Sequence, residues 1–220
     1  MIEKPHGAET DFRNRMSYGD YLHLEKILDA QEFLSDSPDE LLFIIQHQTS
    51  ELWMKLAIHE ITSALAAIRA DDLRPAFKML TRVARIFEQL NSAWDVLRTM
   101  TPSEYTRFRD ALGQSSGFQS WQYRAIEFLA GNRNLAMLKP HQHRPEVIAG
   151  LEAILSRPSL YDEALLLLSR SGFDIGADAA RTDWRAGREP NEAVLAAWKA
   201  VYSEPETHWA LYELAEKLVD

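Results

Sequence analysis

A belt of six polar residues, Gln46 to Glu51, interrupts the otherwise apolar run "LLFIIQHQTSELWMKL" at 41 to 56, with no Gly or Pro to mark a break. An α-helix turns about 100° per residue, so six consecutive polar residues sweep roughly 600° and leave no face of that section wholly apolar. If the flanking apolar stripe is buried, the belt puts polar side chains in the interior, where an unpaired one costs about 1 to 3 kcal/mol. Phe43 and His47 are four residues apart and share a face, as do His47 and Glu51. The belt suits the wall of a polar pocket; its bland reading is a helix that crosses an interface or satisfies its polar groups through buried water. At His47 a neutral imidazole could ligate iron, accept a proton or hydrogen-bond a substrate N–H.

A second constellation lies in "SEYTRFRDALGQSSGFQS", where Tyr105, Arg109 and Leu112 fall at i, i+4 and i+7 and line one helical face. The planar fork of an Arg guanidinium can hold a carboxylate through two parallel hydrogen bonds. The bland alternative for Arg109 is a solvated residue or a partner for the adjacent Asp110. The loop that follows offers the hydroxyls of Ser115 and Ser116, and Gly113 and Gly117 allow close backbone approach to a ligand. His141 and His143 could chelate a metal, but a Pro-bounded loop, "KPHQHRP", favours exposure. No second His completes a zinc-protease helix at "HEITS", and no P-loop, dinucleotide fingerprint or Gly-x-Ser-x-Gly elbow occurs.

Composition sets the context for these groups. An apolar share of 46 % and a charged share of 26 % are those of an ordinary globular chain. A net charge of -9 argues against a nucleic-acid partner. With no Cys in 220 residues, disulfides and thiolate chemistry are excluded, which suits a reducing compartment. The polar N-terminus "MIEKPHGAETDF" lacks the apolar core of a signal peptide, and apolar runs such as "ALLLL" at 164 to 168 are too short to span a bilayer. A cytoplasmic protein without a membrane partner is expected.

The elements that must position these residues read as helix after helix, because apolar residues recur at spacings of three and four and strand-like alternation is absent. The fold class is all-α, a helical bundle in one domain over 1 to 220. "SPDE" predicts a helix start with Ser37 as N-cap, Pro38 at the first position and Glu40 closing a capping box; Thr101, Pro102 and Glu104 repeat the device. From Pro38 the pattern runs to about Arg69, is punctuated by "ADD" at 70 to 72, and resumes to about Thr99, which predicts two long antiparallel core helices. Shorter helices are expected at about 119 to 130, 146 to 156, 160 to 170 and 190 to 202, with a surface loop over 173 to 189. The last segment, "EPETHWALYELAEKLVD", carries a helical pattern that stops without Gly or Pro.

Together "LLFIIQHQTSELWMKL", "TPSEYTRFRDALGQSSGFQSWQYR" and "MSYGDYLHL" resemble the tryptophan 2,3-dioxygenase family, from about Met16 to Asp220. That resemblance implies a haem b enzyme that inserts O2 across the indole C2–C3 bond of L-tryptophan to give N-formylkynurenine, the first step of the kynurenine pathway of tryptophan breakdown. It implies a homotetramer, a dimer of dimers. By motif, His47 would meet the indole N–H, with Phe43 beside it against substrate and haem. Arg109 would grip the substrate carboxylate, with Tyr105 on the same face. Ser115 and Ser116 would lie near haem and substrate, while Trp94 and Leu112 would line the haem pocket. Tyr18, Tyr21 and Leu22 would reach into a neighbouring subunit's pocket.

In that family the histidine that ligates the haem iron lies beyond the segment matching Asp220, so no metal ligand is expected within the chain. The same comparison suggests further polypeptide after Asp220, without which the chain is expected to be inactive. Two other functions fit the residues: a related haem enzyme acting on another indole or aryl substrate, and a non-catalytic helical scaffold.

Overall fold

The computed structural model describes residues 11–219. The first ten residues and Asp220, on which the leader and chain-end expectations rest, lie outside them. Among the described residues all regular structure is helical, as expected, and no helix is long and apolar enough to cross a membrane. Two short helices, α1 (Tyr18–Leu22) and α2 (Leu24–Leu28), precede the long pair α3 (Glu40–Arg69) and α4 (Leu73–Leu97). There follow α5 (Pro102–Arg109), α6 (Trp121–Ala130), α7 (Pro145–Leu155), α8 (Leu160–Arg170), α9 (Glu192–Ser203) and α10 (Trp209–Val219).

The turn between α3 and α4 explains their antiparallel packing. Asp71 takes a left-handed conformation, φ 55°, and the amides of Asp71 and Asp72 reach back to the carbonyls of Ile68 and Ala67 at 3.1 and 3.0 Å. This is the Schellman pattern, which satisfies the last carbonyls of α3 and reverses the chain in three residues. Arg170 of α8 donates to the Asp71 carboxylate at 2.9 Å and to the Ile68 carbonyl at 2.9 Å, fixing the turn to the bundle. Further along the pair, Arg82 of α4 meets the buried Glu60 of α3 at 2.5 Å.

The main core gathers the second half of α3 (Met54, Ala57, Ile61, Ala64, Leu65, Ile68) with α4, α6, α8, α9 and α10. A smaller cluster joins α6 to α7 through Ala125, Phe128, Val147, Leu151 and Leu155. Burial is uneven along the long pair. Before Met54, α3 buries only Glu40, and beyond Ile86, α4 buries nothing. The paired helices therefore project past the core, and Leu41, Ile45, Leu52, Trp53, Trp94 and Val96 are exposed there.

The helix starts differ instructively. Thr101 and Glu104 form the expected capping box at α5, as Ser159 and Asp162 do at α8. At α3 the expected box does not form: Asp39 is the N-cap, and Glu40 turns away to the amides of Leu34 and Ser35 at 2.8 and 2.9 Å and the Ser35 hydroxyl at 2.5 Å. The carboxylate serves three donors of the incoming loop, two of them on Ser35, while the buried Ser37 hydroxyl has no hydrogen-bond partner. A second correction concerns "KPHQHRP". A 3₁₀ helix runs from Leu135 to His141, and His141 is 2 % exposed rather than solvated.

Asp162 organises the far side. It accepts from Ser159 N–H and Oγ, from Arg133 at 3.3 Å and from Arg188 Nε at 2.6 Å, while Arg188 also pairs with Asp178, itself bonded by Asn191 at 2.6 Å. These bonds pin residues 173 to 191, which contain one 3₁₀ turn at Gly176–Ala180, onto α8. Burial alone would raise the Asp162 carboxyl; the Ser159 and Arg188 hydrogen bonds outweigh it and hold the group below the usual carboxylate range.

Two stability predictions follow from these buried charges. Asp162→Asn leaves Arg133 and Arg188 without their shared anion and should cost roughly 3 kcal/mol or more, read as a lower urea midpoint; an unchanged midpoint would show the network to be dispensable. His141 is held below the ordinary imidazole range first by burial and then by the neighbouring His143, Arg124 and Arg144. Its folded-state pKa lies below the unfolded one, so the stability it permits is complete above about pH 6.5 and is lost as pH falls through the folded value. His141→Leu, which also removes an unpaired Nε2, should flatten the decline of Tm between about pH 6.5 and 5 without lowering Tm at pH 8.

Candidate functional site

The projecting half of α3 meets α5 in an aromatic corner. The Phe43 and His47 rings lie 4.2 Å apart between centroids, Phe43 is 5.9 Å from Tyr105 and 5.4 Å from Phe108, and Tyr105 stands edge-on to Phe108 at 5.4 Å. Phe108, 1 % exposed, is the pivot, and sequence reasoning missed it. Its signal was its position three residues after Tyr105, on the same face as Leu112. Beside the corner is a shallow depression of about 370 Å³ lined by Phe43, Leu97, Met100, Thr101, Pro102 and Tyr105.

The polar belt of α3 is partly exposed, not interior, because this half of the helix lies outside the core. Its partners are of two kinds. Thr49 and Ser50 donate to the Ile45 and Gln46 carbonyls one turn back. Gln48 reaches Gln31 and the Ala30 carbonyl at 2.7 and 2.8 Å, and Gln122 of α6 donates to the Glu51 carbonyl and carboxylate at 2.8 and 2.7 Å. His47 Nδ1 lies 2.8 Å from the Phe43 carbonyl. A carbonyl only accepts, so Nδ1 carries the proton, and in the neutral ring Nε2 is left as an acceptor.

Arg109 ends α5, and its Nη1 donates to the Gly113 carbonyl at 2.8 Å. It makes no ion pair among the described residues, so Asp110 is not its partner and the remaining guanidinium donors are uncommitted there. Gly113 sits at φ 57°, the conformation that turns the chain from α5 into the serine loop. Ser115 Oγ donates to the Leu112 carbonyl at 2.5 Å; Ser116 Oγ accepts from the Phe118 amide at 3.3 Å and caps a 3₁₀ turn at Gly117–Gln119. Gly117 has no positive φ, so of the two glycines only Gly113 uses its freedom.

Phe43, His47 and Tyr105 are thus brought together, with Arg109, Leu112, Ser115 and Ser116 following on the same chain segment. Trp94 is exposed on α4, and of its helix it is Leu97 that lines the depression. Tyr18 and Tyr21 are 76 % and 72 % exposed on α1, and Leu22 is half-buried.

Residues 3–198 match the family model described as tryptophan 2,3-dioxygenase. The chain belongs to the tryptophan 2,3-dioxygenase family. It is 72 % identical over 214 residues to the tryptophan 2,3-dioxygenase of Bradyrhizobium sp. strain BTAi1, covering 97 % of this chain and 77 % of that one. The Cupriavidus necator and Burkholderia pseudomallei proteins of the same name are 59 % and 60 % identical, each over 98 % of this chain and 73 % and 70 % of theirs.

For a tryptophan 2,3-dioxygenase family member the expected prosthetic group is haem, and the corner can be tested for fit. An apolar depression rimmed by Phe43 and Tyr105, beside further exposed apolar side chains on α3 and α4, suits one face of a flat macrocycle. His47 is the imidazole in ring contact with that corner, and its Nδ1 is already committed. The residues present therefore fit one side of the group. Loop geometry supplies a test of its own: Gly113→Ala forces a Cβ into the left-handed region and should cost about 1 kcal/mol, with the loss seen in the urea midpoint. An unchanged midpoint would mean that the turn relaxes freely.

Proposed function

We propose that the chain acts on L-tryptophan, directing O2 across the indole C2–C3 bond to form N-formylkynurenine, the first step of tryptophan breakdown through kynurenine. One observation carries this reading: in a chain of this family, His47 presents an acceptor nitrogen, oriented by the Phe43 carbonyl, at an aromatic corner. An indole N–H is a donor on a flat apolar ring, the complement of that arrangement. Haem, when bound, supplies the activation of dioxygen. Phe43, Trp94, Leu112, Ser115 and Ser116 would hold it.

The chain's own residues do the placing. Arg109, with donors to spare at the end of α5, takes the amino-acid carboxylate, and Tyr105 on the same face borders the indole. Fixing both ends of the substrate converts a bimolecular encounter into an oriented one. The aromatic corner excludes water from the ring face. Tyr18 and Tyr21, exposed in one chain, and the half-buried Leu22 complete the site of a neighbouring copy in a homotetramer.

In the full-length, haem-loaded protein, Arg109→Ala should raise the KM for L-tryptophan about tenfold or more, with kcat changed by less than about twofold, because the lost interaction is a charge-assisted one made in both ground and transition states. Steady-state oxygen uptake checks it. Unchanged KM would refute the clamp.

A further inference from the structure

Helix α6 touches the candidate site at two points, Gln122 on the belt of α3 and Arg124 beside the serine loop. Arg124 is buried, 8 % exposed, although it carries a full charge. Its Nη1 pairs with Glu127 one turn on at 2.7 Å, while its Nε has no hydrogen-bond partner. The guanidinium face is covered instead by two rings: its central carbon is 5.2 Å from the Phe118 centroid and 4.7 Å from that of Tyr123. Phe118 itself is 52 % exposed and packs on no other ring among the described residues.

Phe118 sits in the 3₁₀ turn capped by Ser116, and its amide donates to Ser116 Oγ. Ser115, one residue earlier, is tied back to Leu112. The ring of Phe118 thus fixes the amide that orients the Ser116 hydroxyl. Gln119 ties the same turn from its other end, accepting from the Ser116 amide at 3.2 Å and donating to the Gln114 carbonyl at 3.3 Å, but only Phe118 links it to helix α6 through a ring contact among the described residues. The same helix anchors the belt of α3 through Gln122 and Glu51.

We infer that Arg124 is a positioning residue: by stacking on Phe118 it sets the Ser115–Ser116 loop against the α3 wall, and so tunes the affinity for tryptophan. The inference rests on the reading of that loop as part of the substrate site. A planar cation is required, because only a guanidinium can stack on both rings while keeping its Glu127 pair.

The test uses Phe118, whose exposure allows substitution without opening the core. In full-length, haem-loaded protein, tryptophan-dependent oxygen uptake is measured for wild type, Phe118→Leu and Phe118→Tyr, with Arg109→Ala alongside. Phe118→Leu removes the π face and should raise KM roughly fivefold, with kcat within about twofold and Tm unchanged. Phe118→Tyr keeps the face and should restore the wild-type KM. A wild-type KM in Phe118→Leu, or equal impairment in both variants, overturns the inference. If Arg109→Ala also leaves KM unmoved, it is the substrate-site reading that fails, and this inference with it.

Discussion

Everything at the site depends on one helix serving two environments. Apart from Glu40, the thirty residues of α3 are buried only from Met54 onward, where they pack against α4, α6 and α8. The half that precedes Met54 leaves the core and still must hold its shape. It does so by backbone geometry and by belt residues bonded to their own helix or to α2's flank and α6. His47 gains its orientation from the same rule, since its Nδ1 proton is spent on the helix carbonyl one turn back. A side chain that satisfies its scaffold with one nitrogen has the other left for a ligand.

Around that helix the neighbours act as locators. The Schellman turn at Asp71, held by Arg170, fixes where α4 returns, and so which residues of α4 stand beside the belt. Phe108 locks α5 to Phe43, which brings Tyr105 to the corner and leaves Arg109 one turn further along a helix only eight residues long. Helix α6 joins belt and serine loop through Gln122 and Arg124. The exposed apolar side chains of the projecting region, Leu41, Ile45, Leu52, Trp53, Trp94 and Val96, stand together there, the pattern of a surface that takes a ligand or a further chain.

Sequence reasoning was strongest where local chemistry decides. The box at Thr101 and Glu104, the break at Asp71, and the helical periodicity all depend on residues a few positions apart, and each is found as expected. It was weaker where a side chain had a choice of partners. Glu40 could cap its own helix or the loop before it, and the amides of Leu34 and Ser35 offered the better set. His141 lies in a Pro-bounded segment that reads as a loop, yet it is buried at the end of a 3₁₀ helix whose Met137 and Leu138 pack on the α6–α7 cluster, a tertiary effect invisible in spacing. The belt was legible as an anomaly but not as a partly exposed one, because nothing local says where the core ends. Helices α1 and α2 escaped notice because five residues are too few to show a period.

The proposed function turns on one hydrogen bond, from the indole N–H to His47 Nε2. It is tested most directly by comparing L-tryptophan with its 1-methyl derivative, which lacks that proton, in wild-type and His47→Ala full-length, haem-loaded protein, with KM read from oxygen uptake. Wild type should show a KM about tenfold or more higher for the methylated substrate, and His47→Ala should narrow the gap. Equal KM values in wild type, or a gap that survives in His47→Ala, would contradict it.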